Sequence, residues 1–179
     1  MSFAAAIPRQ PEDRVDPHIG TAGDGQTFPA TGVPFGMTQW TPQTRVGEVK
    51  CVAPYYAGDK KIEGFRGSHF MSGSCTSDYG SMTMMPMSGS LRLGDAERGS
   101  AFVGEVARPY QYKVTLSRYN IGVEMTGTAR AGMLRFRFAR GGKSWLLLQS
   151  NAQVGEGSVS VNAAAGEIAL VNPAHRLYA

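Results

Sequence analysis

The residues of this chain best suited to chemistry lie in a run without a core pattern, FRGSHFMSGSCTSDYG at 65–80, which sets His69, Cys75 and Asp78 among glycines and serines. Small residues with almost no apolar periodicity make a poor core and a good pocket wall. A second run, DPHIGTAGDGQTFPATGVPFG at 16–36, has the same character. There His18 and Asp24 offer polar groups, while Phe28 and Phe35 offer flat apolar surface of the kind that stacks on a sugar face. The loops at 16–36 and 64–80 are therefore expected to line one cavity. Between them, Trp40, Tyr55 and Tyr56 either form an aromatic platform for carbohydrate or pack at the mouth of the fold.

Other chemistries fit these residues less well. His18, His69, Cys51, Cys75 and Asp78 lack the close CxxC or HxxxH spacing of a zinc site. Cys75 has no basic neighbour to make it a thiolate, which leaves a buried structural thiol or a bond to Cys51. Asp78 is either a turn cap before Tyr79 and Gly80 or a charge-assisted partner for a hydroxyl or for His69, itself a structural hydrogen bonder or a ligand contact. GTAGDGQT, from Gly20 to Thr27, imitates a phosphate loop, but Gln26 replaces the lysine and TFP follows where a helix should start.

The elements that must hold these loops read as strands. Tyr110, Tyr112, Val114 and Leu116 alternate with polar residues, and Ile121, Val123 and Met125 continue the period of two after a turn at Tyr119-Asn120. Leu134, Phe136 and Phe138 alternate with arginines, and Gly141-Gly142 turns the chain into Trp145 to Leu148. Residues 158–161 and 167–171 bracket an irregular hairpin loop. Met82 and Met84 alternate like strand residues, whereas Met85-Pro86-Met87 is interrupted and reads as flexible core filling. No window carries convincing helical periodicity, so the fold class is all-β, an antiparallel sandwich or barrel. Residues 1–14 read as a flexible segment without a signal peptide, and 15–179 as the β-sandwich domain.

At 179 residues with a net charge of +4, the chain has scattered basic residues and no clustered basic module, which argues against a nucleic-acid partner. No apolar run is long enough for a membrane span. Two cysteines permit one disulfide but no disulfide framework.

The ordered blocks VDPHIGTAGDGQTFPATGVPFGMTQWTPQTR, CVAPYY, IEGFRGSHFMSGSCTSDYGSMTMMPMSG and RPYQYKVTLSRYNIGVEMTGTARAGMLRFRF resemble the N-terminal β domain of the glycoside hydrolase family 92 α-mannosidases, from Val15 to about Leu148. The resemblance implies an exo-acting, calcium-dependent enzyme that removes α-linked mannose with inversion, built from an N-terminal β supersandwich and a C-terminal (α/α) barrel. It implies that the acid, the base and the calcium ligands belong to the barrel, expected to be missing from this chain, so no catalytic or metal residue is assigned here. By resemblance the substrate contacts are Gly25, Phe28, Phe35, Tyr56, His69, Cys75 and Asp78.

The implied partners are mannose-containing glycans, the helical barrel domain or a second polypeptide, and a second copy of the chain, in a periplasmic or secreted setting with the cytoplasm also open. An incomplete sandwich would expose apolar surface, expected at Phe28, Phe35, Trp40, Phe65 and Phe70. Thr41-Pro42-Gln43-Thr44, Glu48-Val49-Lys50 and Arg66-Gly67-Ser68-His69 depart from the family pattern, which places a change on the leaving-group side of the pocket. The rival readings are a carbohydrate-binding module and a purely structural β domain.

Overall fold

The structure, a computed structural model, describes residues 10–45, 52–67, 80–151 and 156–172. A short 3-10 turn, Pro11–Arg14, precedes the glycine-rich loop. Among the described residues ten strands follow: β1 (Thr41–Gln43), β2 (Gly64–Gly67), β3 (Met82–Ser88), β4 (Phe102–Arg108), β5 (Gln111–Leu116), β6 (Ile121–Gly127), β7 (Gly132–Arg137), β8 (Ser144–Ser150), β9 (Ser158–Asn162) and β10 (Glu167–Val171). A single helical turn, α1 (Asp95–Arg98), interrupts them between β3 and β4. The chain is all-β and sandwich-like: sheet one runs β1-β2-β3-β8, sheet two is the meander β4-β5-β6-β7, and β9 and β10 form a hairpin. All pairings are antiparallel.

Sheet two shows most directly why the sequence folds this way. Tyr112, Val114 and Leu116 of β5 stand opposite Met125, Val123 and Ile121 of β6, and all six are buried. Their alternation puts the apolar set on one face and leaves Lys113, Thr115 and Glu124 on the other. On that outer face Glu124 pairs with Arg135 at 3.3 Å and Arg137 at 3.2 Å across β6 and β7. Asn120 takes a φ of 50°, a left-handed conformation that asparagine tolerates, and closes the turn into β6.

The two sheets meet through Phe65 of β2 and Phe136 of β7, whose ring centroids lie 6.4 Å apart. Trp40 seals one end of this core. A side chain at either Gly67 or Gly132 would run into its indole, so both strands carry glycine where they pass the ring. Trp40 and Phe65, expected on an exposed apolar surface, are thus core residues instead; their position inside glycine-rich sequence reflects the room the indole needs, not exposure.

β3 corrects a second expectation. It runs unbroken through Met85-Pro86-Met87, with Pro86 opposite Leu146 of β8. β2 pairs with β3 only as far as Met84, so the absent proline N–H lies beyond the reach of that neighbour. Met85 and Met87 are fully buried, as core filling requires.

Candidate functional site

Residues 16–36 form a loop that clasps itself. Asp16 Oδ1 accepts the backbone N–H of His18 at 3.0 Å, and the hydroxyls of Thr21 and Thr27 donate to the carbonyls of His18 and Ile19 at 2.8 and 2.6 Å. The amides of Gly25 and Thr27 bond back to Ala22 and Gly20. Gly25 passes so close to Gly20 that a Cβ would lie 2.0 Å from the Gly20 carbonyl oxygen, and only glycine fits there. The Thr21, Gly25 and Thr27 amides are thus spent inside the loop and are not offered to a phosphate.

Neighbouring segments hold the clasp in place. Gln26, at the position a phosphate loop gives to lysine, accepts the Ala53 amide at 2.8 Å, and the Ala57 amide donates to Thr21 at 2.9 Å. The Gly32 amide reaches Pro109 and the Met37 amide reaches Ala129, tying the second half of the loop to sheet two.

Between these anchors the chain makes a turn closed by the Gly36 amide on the Val33 carbonyl at 3.0 Å. Pro34 occupies its second position and Phe35 its third, where the backbone takes a φ of 58°. That is the site type II turns reserve for glycine, because a Cβ there is strained. Phe35 occupies it nonetheless, and its side chain is wholly exposed. The strain of this backbone is thus not offset by any burial of the ring. Phe28 is half-buried on the same loop.

Below the loop lies a cluster that the sequence did not announce. β4 carries a bulge between Val103 and Val106, where Gly104 has a φ of 65°. The bulge turns Glu105 toward the loop. Its carboxylate accepts the hydroxyl of Tyr112 at 2.6 Å and that of Tyr55 at 3.1 and 3.2 Å, and His18 Nε2 lies 3.6 Å from it. Burial, and then the Glu105 charge, push both tyrosine hydroxyls far above their ordinary pKa, so both remain donors at any working pH. The bond from the His18 amide, more than any side chain, holds the Asp16 carboxyl below its usual range. The one sequence signal for Glu105 is the glycine that breaks the alternation of Val103-Gly104-Glu105-Val106.

The remaining candidates divide. Tyr56 is half-buried, and the Arg45 guanidinium lies 4.5 Å above one face of its ring, with Asp59 at 3.9 Å from Arg45 and hydrogen-bonded by Thr44 at 2.7 Å. One face of the expected platform is therefore occupied by the protein itself, and Tyr55 is buried against the Glu105 cluster. His69, Cys75 and Asp78, together with Cys51 and Phe70, lie outside the described residues, as does most of the loop at 64–80.

Glu63 is a buried carboxyl whose pKa burial raises, but it is sealed: a Cβ at Gly99 would sit 2.3 Å from its oxygens. Among the described residues no three of His, Cys, Asp and Glu gather as a metal site requires.

Comparison with known proteins bears on this arrangement. Residues 14–175 match the family model described as the glycosyl hydrolase family 92 N-terminal domain. Among solved structures, a family GH92 inverting mannosidase from Bacteroides thetaiotaomicron VPI-5482 is 27% identical over 87% of this chain and 22% of its own, with a TM-score of 0.70. A family GH92 α-mannosidase from Bacteroides thetaiotaomicron is 27% identical over 76% of this chain and 20% of its own, with a TM-score of 0.67. The latter has also been solved in complex with mannoimidazole. The chain spans about a fifth of the length of these structures. No curated protein matches the sequence.

Proposed function

This chain belongs to the glycosyl hydrolase family 92 N-terminal domains, and from that premise we propose that it is the pocket-shaping β domain of an exo-acting enzyme that removes α-linked mannose with inversion. The match over 14–175 carries the reading, and the loop at 16–36 supplies its local content. Phe35 offers its exposed ring to one face of the sugar, Gly25 and Phe28 shape the wall behind it, and the Glu105 cluster fixes the wall on sheet two. Tyr56 belongs to the same contact set. His69, Cys75 and Asp78 complete the contact set from the second loop.

Inversion needs two carboxyl groups about 6.5 to 9.5 Å apart on opposite sides of the sugar, one protonated and one free to activate water. Neither Glu63 nor Glu105 suits that work, the first because it is buried against Gly99 and the second because two tyrosines engage it. The acid and base are assigned to the helical barrel domain of a longer protein, and calcium is assigned there too. A periplasmic or secreted setting, where mannose-containing glycans are met, belongs to the same reading.

The test is an assay of this chain beside a longer protein that joins it to the residues following in its reading frame. With an aryl α-mannoside, the longer protein is expected to release the aglycone and the chain alone to be inactive. Comparable turnover by the chain alone would end this division of labour.

A further inference from the structure

Thr44, Arg45, Tyr56 and Asp59 close a circuit of contacts just after β1. The Arg45 guanidinium lies 4.5 Å above the Tyr56 ring, and Arg45 Nε is 3.9 Å from Asp59 Oδ2. The Thr44 hydroxyl donates to the same Asp59 oxygen at 2.7 Å and accepts the Tyr56 amide at 2.9 Å, which brings the circuit back to its start. Backbone bonds hold the members in place: the amides of Thr44 and Arg45 both reach the Pro54 carbonyl, and the Asp59 amide reaches that of Tyr56. Gly58 passes so close to the ring that a Cβ there would lie 2.5 Å from Tyr56 Cε1.

This grip takes the ring and leaves the phenol. The hydroxyls of Tyr55, Tyr110, Tyr112 and Tyr119 all donate within the protein, whereas that of Tyr56 has no partner among the described residues and is not closed off from solvent. Tyr56 also stands beside the loop at 16–36, because Ala53 before it and Ala57 after it donate their amides to Gln26 and Thr21 of that loop at 2.8 and 2.9 Å. A phenol is donor and acceptor at once, the complement of a sugar hydroxyl. A ring held still in advance loses less freedom when a ligand arrives. Resting on the reading of this loop as the sugar-facing wall, we propose that Tyr56 meets the sugar through a hydrogen bond from its phenol rather than by stacking, and that Arg45 is the positioning residue that aims it.

The test uses the 179-residue chain and methyl α-D-mannopyranoside, with affinities read from chemical-shift titration. Tyr56→Phe keeps the ring beneath Arg45 and removes only the hydroxyl. It is expected to weaken binding about two- to tenfold, the range of one hydrogen bond, with an unchanged urea midpoint. Arg45→Met should weaken binding to a similar degree in the wild-type background and hardly at all in Tyr56→Phe, since a residue acting through the hydroxyl then has nothing left to position. Arg45→Lys, which returns a cation to the ring, should recover part of the loss. Equal losses from Arg45→Met in both backgrounds, the mark of a general structural role, overturn the positioning claim. Binding by Tyr56→Phe as tight as in the wild type overturns the contact, whether or not the arginine variants fold.

Phe35→Ala separates this inference from the reading beneath it. Binding that Phe35→Ala abolishes and Tyr56→Phe leaves intact overturns the role of Tyr56 and keeps the sugar-facing loop. A wild-type chain without measurable affinity overturns the contact, and aglycone release by the longer protein then decides the enzymatic reading on its own.

Discussion

Phe35 sets a strained backbone against a proposed sugar contact at a single residue. Its left-handed backbone costs about 1–2 kcal/mol relative to a relaxed residue. Glycine would remove that strain at an entropic cost of about 0.5–1 kcal/mol, and no burial is lost because the ring is wholly exposed. Phe35→Gly is therefore expected to stabilise the chain by about 0.5–1 kcal/mol in urea unfolding. Sugar affinity should move the other way. Burying about 60 Å² of ring against a sugar is worth about 1.5 kcal/mol, so the same variant should bind methyl α-mannoside about tenfold more weakly. Glu63 makes a second residue-scale prediction. Burial raises its pKa, with Lys61 and Arg98 opposing, so the folded state holds the proton more tightly than the unfolded chain. The resulting stability is present in full below the ordinary glutamate value and is lost as pH rises through the raised one. Melting temperatures should fall across that window in the wild type, and Glu63→Gln should flatten the curve and melt higher at neutral pH.

At the scale of elements, the glycines beside Trp40 decide whether the sandwich closes. Gly67→Ala and Gly132→Ala each drive a methyl into the indole and are expected to cost about 1–3 kcal/mol. Gly122→Ala is the control, since its nearest neighbour would be 3.7 Å away. It should be neutral or stabilise by up to about 1 kcal/mol in the same denaturant series. β5 to β10 were legible in the sequence because one face of β5 and β6 is apolar and because Asn120, Gly141, Gly142 and Gly166 mark the turns with positive φ. β1 and β2 were not. They are short, and TPQ and GFRG bury Thr41, Gln43 and Arg66, polar residues whose burial no hydropathy pattern foretells. The loop at 16–36 was legible from composition alone. Glu105 was not, because a strict alternation would point it away and only the bulge at Gly104 brings it under the loop. That bulge has open space around its glycine, so Gly104→Ala tests backbone strain by itself and should cost about 1–2 kcal/mol.

As a whole molecule, the chain is a β domain about a fifth the length of the enzymes it resembles. Val159, Val161 and Ile168 stand exposed on one face of the β9 and β10 hairpin, apart from the phenylalanines and Trp40 where the sequence led us to expect self-association, and we propose that two copies associate through this strip instead. Val161→Lys is then expected to lower the light-scattering mass of a concentrated solution while changing stability by less than about 0.5 kcal/mol. The sugar-facing role proposed for the clasped loop rests instead on its exposed phenylalanine. Shift mapping of the isotopically labelled chain with α-mannobiose tests it most directly, because it detects weak binding and assigns it to residues. Perturbations centred on Phe35 and the neighbouring amides of 16–36, and abolished by Phe35→Ala, are the predicted result; a silent loop at saturating sugar, or shifts confined to β9 and β10, would contradict it.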